Sequence, residues 1–425
     1  MNLKGKKLMY LGGDATIDIV SNYAKEQGFL LATAGSHFSD KVKGCISERY
    51  EVDVSNADDL IKVLKTSKPD GIFVLGNENV ITSAIKASEE TGVHFYLNSE
   101  LWNKVQNKVS FKALCEKFSV PTIKGYEITK DNFKGVIPTD EFPVVIKPAD
   151  SCGSNGISVC NTETELETAI NKSFKFSRTH TFLCEKYMTG NEFTAYYFVR
   201  NGKVTVWEIK DRISNHEQKG LGGVGICVVS PSKYSDIYFN KIHDNVCRMI
   251  ESTGYKNGPL FMQGFVDGDT IRFYDPGLRF SGGLAYTVTE KLLGTNPLVW
   301  MINEALCQEL TTDSEFSKLD WRLNGKFACI LSVLLKTGKI TSISGLDEVE
   351  KISGVFHIHN PSYVGREITA AGTLDQLLLR VYAAADNREA IEDAMYRVYN
   401  TVKVTDKNGN DMVLRDGIVE KHFKY

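Results

Sequence analysis

The chain has 425 residues, of which 42% are apolar and 24% charged, with a formal net charge of −3. At roughly 150 residues per domain this is material for about three domains with ordinary cores, and it carries no general attraction to nucleic acid or an anionic membrane. Nine scattered cysteines without a Cys-x-x-Cys pair suit reduced thiols in a cytoplasmic protein better than a disulfide framework or a zinc site.

Met1–Lys7 is basic, but the next apolar run, Leu8–Leu11, is too short for a signal peptide, and no later stretch is long enough to span a bilayer. The first hundred residues alternate strand and helix signals. Leu8–Leu11, Phe29–Thr33 and Ile72–Leu75 read as strands. Ile17, Val20 and Ala24 lie on one helical face that stops at Gly28, and Ser55–Thr66 and Thr82–Thr91 read as further helices. This alternation predicts a parallel sheet with helices on both faces. Gly12-Gly13-Asp14 lacks a full dinucleotide fingerprint and reads as a tight strand-to-helix turn.

From Trp102 the character changes. Lys104–Phe118 reads as one helix, and Thr162–Lys172 as another, with a capping box from Thr162 to Glu165. Between them, Val144–Gly156 is a short aliphatic strand that ends in Lys147-Pro148 and runs into a loop with Gly153 and Gly156. A lysine at the end of a buried strand is costly unless it meets an anion or water. Backbone N–H groups of a glycine loop can cradle phosphate oxygens. These residues therefore suit a nucleotide phosphate held between Lys147 and Ser151–Gly156; an ordinary strand, turn and snorkelling lysine fits them equally well. Further on, Phe193–Val199 and Val204–Ile209 form a hairpin across Arg200-Asn201-Gly202. Ile213–Gly225 reads as a polar glycine-rich loop and Asn240–Ser252 as an amphipathic helix with Gly254 as its cap. Leu260–Val266 and Thr270–Tyr274 make a second hairpin.

Residues from about Asn107 to Gly283 resemble the ATP-grasp enzymes, with features in that family's order and spacing. The resemblance implies an ATP-grasp fold, α/β and α+β in class. It implies an amino-terminal parallel-sheet domain at 1–103, a nucleotide-binding domain at 104–315 with a lid at about 122–190, and a carboxy-terminal α+β domain at 316–425. It makes Lys108 and Lys147 the two nucleotide lysines, and Ser151, Gly153, Ser154 and Gly156 the phosphate lid. Glu185 and the backbone of Lys186 and Met188 would face the adenine, and Glu192 the ribose. A carboxylate suits a diol, since it accepts from two hydroxyls.

Family members usually hold two Mg²⁺ on an acidic residue, then on a second acidic residue and an asparagine two positions further, with an arginine after them. The matching positions here are Gln263, Asp275, Gly277 and Arg279. Glutamine at the first position also occurs in carbamoyl-phosphate-synthase-like members. Gly277 offers no side-chain ligand, so the expectation is one well-held ion and a second that is water-rich or absent. Asp275-Pro276-Gly277 also reads as a plain turn. Arg279 would bind a carboxylate or the transferring phosphate through its planar fork, or else form a surface ion pair. His216, in the glycine-rich loop, would deprotonate an attacking amine, or simply be solvated.

Phe327–Leu335 reads as a long strand, Leu346–Ser353 as a short helix and Ala383–Tyr399 as a longer one. Gly338–Glu350 resembles the closing domain of amino-acid-ligase-type members. The resemblance implies ATP and Mg²⁺ as cofactors and small-molecule carboxylate and amine substrates. The expected activity is a carboxylate–amine ligase working through an acylphosphate. The rivals are a carbamoyl-phosphate-synthase-like or carboxylase-type enzyme that phosphorylates bicarbonate, and a non-catalytic nucleotide-binding subunit. Dimerisation is common in the family, which makes a homodimer an expectation, although no coiled coil is legible.

Overall fold

In the computed structural model the described residues are 1–11, 16–36, 46–150, 155–177, 179–215 and 224–415. Lys7–Tyr10 (β1), Leu30–Gly35 (β2), Glu48–Glu51 (β3) and Gly71–Phe73 (β4) form a parallel sheet in the order β3-β2-β1-β4. Ile17–Gln27 (α1), Ala57–Ser67 (α2) and Glu78–Thr91 (α3) cover it. Alternation along β1 sorts the layers, because successive side chains of a strand point to opposite faces. Leu8 and Tyr10 pack with Ile17 and Val20 of α1, whereas Met9 packs with Leu60, Val63 and Ile81 of α2 and α3.

The segment 104–118 is not one helix. Ser99–Gln106 (α4) and Lys108–Lys117 (α5) are separated by Asn107, whose side chain accepts from the N–H groups of Val109 and Ser110. An asparagine that caps the second helix leaves the helical conformation itself and so ends the first. The Lys108 N–H then donates to Ala149 O at 3.1 Å, which ties this lysine to the end of the strand carrying Lys147.

Gly125–Tyr126 (β5), Val144–Pro148 (β6), Ser158–Cys160 (β7) and Phe182–Lys186 (β8) form an antiparallel sheet in the order β5-β8-β6-β7. Leu166–Phe176 (α6) covers it with Leu166 and Ile170. The capping box at Thr162 does not form. Glu165 instead accepts from the Asn161 N–H at 2.8 Å, and the α-helix begins one residue later.

The large sheet is antiparallel and has eight strands. It contains Glu192–Arg200 (β9), Lys203–Asn215 (β10), Val224–Ser230 (β11), Gly258–Asp267 (β12), Thr270–Gly277 (β13) and Phe327–Leu334 (β14). Beyond Gly338–Lys339 (β15) and Ser342–Ser344 (β16) it also takes in Val355–His359 (β17). After Glu367–Ile368 (β18) it is completed by Leu377–Ala385 (β19), and Lys403–Thr405 (β20) lies apart. The order is β13-β12-β9-β10-β11-β14-β19-β17, so one sheet runs across residues 315 and 316.

Of the expected 213–225 loop, residues 213–215 end β10 and residues 224 and 225 begin β11, while 216–223 lie outside the described residues. The expected helix 240–252 is two, Ser235–Lys241 (α7) and His243–Glu251 (α8), parted at Ile242. Asp275-Pro276-Gly277 is not a turn but the end of β13, with Pro276 opposite Met262. Because β13 is an edge strand, the missing proline N–H costs no outer ladder bond. Ala383–Ala385 belong to β19 rather than to a helix. After Tyr286–Leu293 (α9) and Pro297–Cys307 (α10), the last long helix is Arg388–Thr401 (α11), capped by Asn387. The short helix at 346 ends at Val349.

Helix α10 docks the amino-terminal sheet. Trp300, Met301 and Ala305 share a core with Leu8, Tyr10 and Phe73. A β-carbon at Gly71 would come within 1.7 Å of Ala305 O, so the close approach of helix to strand requires glycine there.

Candidate active site

Strand register brings the expected residues of the large sheet onto one face. Thr194, Gln263 and Asp275 stand in a row across β9, β12 and β13, and Glu192 stands between Arg212 of β10 and Phe265 of β12. Arg212 Nη1 donates to Glu192 Oε2. The register shifts between Gln263 and Gly264, which leaves Tyr274 as the extra residue of β13. Such a bulge re-aims its side chain. The Tyr274 hydroxyl lies 3.4 Å from Glu192 Oε2, and its ring packs 5.3 Å from that of Phe265. Burial, with Glu192 close by, pushes this hydroxyl well above its ordinary pKa and keeps it a donor.

The small sheet meets this row through its lysine. Lys147 Nζ lies 3.5 Å from Tyr274 O and 5.7 Å from the centre of the Tyr274 ring. It pairs with Glu185 Oε2 at 2.6 Å, while Lys112 of α5 takes Glu185 Oε1 at 2.9 Å. One helical turn earlier, Lys108 Nζ lies 3.1 Å from Asp275 Oδ1. Glu185 and Lys147 are only 5% and 6% exposed, so each depends on the other for its charge. Burial raises the Glu185 pKa, but the two ammoniums outweigh it and hold the carboxyl below its ordinary value.

Glu185, expected to face an adenine, has its carboxylate between two lysines. The Lys186 N–H donates to Lys124 O at 2.9 Å and its ammonium to Glu141 O at 2.7 Å. Met188 is half-buried, two residues past the end of β8. Gly156 has φ +78°, and a β-carbon there would meet Pro148 Cγ at 2.7 Å, so the chain can pass this close to the end of β6 only at glycine. Ser151, Gly153, Ser154 and His216 lie outside the described residues.

Arg279 comes two residues after β13. It is no surface pair: it bonds Glu78 at the start of α3, with Nη2 to Oε1 at 2.7 Å, and both side chains are largely buried. Its guanidinium lies 5.1 Å from the centre of the Phe261 ring. Phe261 also closes the neighbouring position, since a β-carbon at Gly277 would stand 2.3 Å from Phe261 Cζ. The donors available for a hard cation are therefore Asp275 and, directly opposite, Gln263. Asp275 Oδ1 is buried without an aligned hydrogen bond among the described residues. That set suits one Mg²⁺ that keeps several waters. No group of three or more His, Cys, Asp and Glu placed for a metal occurs among the described residues.

Lys112, Tyr274 and Phe261 escape the sequence reading. Lys112 carries a signal, four residues after Lys108 and thus on the same helical face. Tyr274 depends on a bulge and Phe261 on a neighbouring strand, and neither is written in local sequence.

Residues 140–282 match the family model of the ATP-grasp domain. The chain carries an ATP-grasp domain. The ATP-grasp fold extends well beyond that match. The structure of the L-amino acid ligase from Bacillus licheniformis superposes with a TM-score of 0.78 over 95% of this chain and 100% of that one, at 16% identity. Phosphoribosylglycinamide synthetase from Anaerococcus prevotii gives 0.74 over 95% and 100%, at 17% identity. The biotin carboxylase domain of the 2-oxoglutarate carboxylase from Hydrogenobacter thermophilus, solved with MgADP, ADP and bicarbonate, gives 0.73 over 94% and 90%, at 18% identity. At such identities the likeness establishes the ATP-grasp fold. No helix among the described residues is long and apolar enough to cross a membrane.

Proposed function

We propose that this protein is an ATP-dependent ligase that joins a carboxylate to an amine through an acylphosphate and releases ADP and phosphate. One observation carries the reading. Lys147 from the small sheet and Lys108 from α5 converge on consecutive residues of β13, 3.5 Å from Tyr274 O and 3.1 Å from Asp275 Oδ1. Two largely buried cations delivered from separate elements to one strand end suit a polyphosphate.

In this reading Lys108 and Lys147 hold the phosphates. Ser151, Gly153, Ser154 and Gly156 cover them and exclude water, which would otherwise hydrolyse an activated intermediate. The backbone of Lys186 and Met188 takes the adenine edge, and Glu185 fixes Lys147 beside it. Glu192, steadied by Arg212 and Tyr274, faces the ribose. Asp275 and Gln263 would hold Mg²⁺, which supplies neutralisation of phosphate charge when bound. Arg279 orients the substrate carboxylate and stabilises the oxyanion of acyl transfer, and His216 takes a proton from the amine. The domains are assigned as 1–103, 104–315 and 316–425, and the protein is taken to be cytoplasmic and homodimeric.

The test is a screen of amino acids and small acids, singly and in pairs, for ATP-dependent phosphate release. Release that requires both an acid and an amine supports the ligase. Release with bicarbonate alone would assign the chain to the carboxylase type. Tight ADP binding with no release under any condition would make it a nucleotide-binding subunit.

A further inference from the structure

The face that carries the nucleotide residues continues across the large sheet to its carboxy-terminal strands. There Arg380 of β19 stands opposite Ser332 of β14 and His359 of β17, and Tyr382 stands opposite Ile330 and His357. Both side chains reach the segment just after Arg279. Arg380 Nη1 donates to Gly282 O at 2.7 Å, and the Tyr382 hydroxyl to Gly283 O at 3.3 Å. From β9, the Tyr196 hydroxyl donates to Ser281 Oγ at 3.1 Å. Residues 281–283 are thus pinned over this face from two strands of the sheet.

Arg380 differs in its partner from four other arginines of the molecule. Arg212, Arg279, Arg366 and Arg388 each meet a carboxylate. Among the described residues Arg380 meets none, and the acceptor it has is a neutral carbonyl. One bond leaves most of a guanidinium's five N–H donors available. The space beside it is open: Gly282 is exposed, and a β-carbon there would meet nothing within 4 Å. Gly282 lies three positions after Arg279, a span of at most about 11 Å. The arrangement is a half-buried planar cation, fixed on rigid strands, at the edge of the reacting centre and on the side away from the nucleotide lysines.

We infer that Arg380 binds the carboxylate of the amine substrate, and that this substrate is therefore an amino acid or a peptide with a free carboxylate. The inference rests on the ligase reading above. A planar fork matches a carboxylate in two parallel bonds. An amine tethered at its far end presents its nitrogen to the acylphosphate while its own negative charge is kept from the phosphates.

The experiment compares wild type, Arg380→Gln and Arg380→Lys as full-length proteins. The amine donors are the amino acids, their carboxamides, and phosphoethanolamine. Two readouts are taken: ATP-dependent phosphate release, and calorimetric titration of amino acids in the presence of ADP. Wild type should prefer amino acids to their amides. Arg380→Gln should raise the KM for amino-acid donors by about tenfold or more, a loss equivalent to at least one step of 1.4 kcal/mol, with the KM for ATP unchanged. The variant should lose the preference over amides, and Arg380→Lys should recover part of it. An unchanged donor KM, an effect that tracks a second carboxylate on the acid instead, or use of phosphoethanolamine alone would overturn the inference. If no pair supports phosphate release, the ligase reading fails by itself. The titration then decides the anion site: amino-acid binding weakened about tenfold in Arg380→Gln sustains it, and equal or absent binding removes it.

Discussion

Phe261 fills the space that a side chain at position 277 would need, its Cζ only 2.3 Å from where a β-carbon would stand. The glycine at 277 and the phenylalanine opposite it on β12 are one packing decision. Gly277→Asn should therefore destabilise the protein by about 1–3 kcal/mol through overpacking. Phe261→Ala in the same chain should return part of that loss, because neighbours in contact are not additive. Denaturant unfolding of the two single variants and the double variant checks this; strict additivity would refute the packing argument.

The same pairing limits the metal. With Asp275 and Gln263 as donors and nothing at 277, one divalent ion should bind tightly beside the nucleotide. Titration of Mn²⁺ monitored by electron paramagnetic resonance, with ADP present, should saturate at one equivalent. Asp275→Asn should weaken it by at least about tenfold, since a charged hard-oxygen ligand is lost. Two equal tight ions would show that position 277 does not matter.

The two lysines on Glu185 should separate by role. Lys147→Ala should weaken ADP binding by about 100-fold, near 2.7 kcal/mol, because it removes a buried cation beside the phosphates. Lys112→Ala should weaken it only a few-fold, since Lys112 acts through Glu185. Calorimetric titration of ADP measures both, and equal losses would place Lys112 on the ligand itself.

Glu185 also sets an acid limit. Its carboxyl is held below the ordinary value of 4.5, so its stabilising contribution is complete above that value and is lost as pH falls through the folded-state value. At neutral pH, Glu185→Gln should cost about 3 kcal/mol by leaving buried ammonium charge unpaired. Below pH 4.5 the gap between wild type and variant should close. Melting temperatures of the two proteins across this range test the sign, and a gap that widens with acid would contradict it.

Arg279→Lys should lower kcat by about 100-fold while the KM for ATP holds, since a planar donor at a developing oxyanion acts on the transition state. Steady-state kinetics on the acid–amine pair found in the screen gives the split. A loss confined to the KM for ATP would move Arg279 out of this role.

Much of the site was legible because its residues obey local rules. A lysine at the end of a short aliphatic strand, a glycine loop behind it and paired positions on a tight hairpin are readable from spacing alone. Lys147 follows from those rules, whereas Lys108, Gln263 and Asp275 rest on the resemblance to the ATP-grasp enzymes. Two of the helix errors share one cause. Asn107 and Asn387 each cap the helix on their carboxy-terminal side and so end the element on their amino-terminal side, and apolar spacing does not record which side an asparagine serves.

By itself, the order of residues determined most of the element types, the parallel amino-terminal layer and the short strand that ends in Lys147, since each arises from contacts a few positions apart. Tertiary structure alone decided that Tyr274 bulges between Lys147 and Glu192, that Phe261 excludes a side chain at 277, and that Arg279 binds Glu78 across 201 positions. It also placed Arg380 over Gly282. The reason is physical: register and the docking of one layer on another are set by the packing of whole sheets, and a window of neighbouring residues does not contain that information.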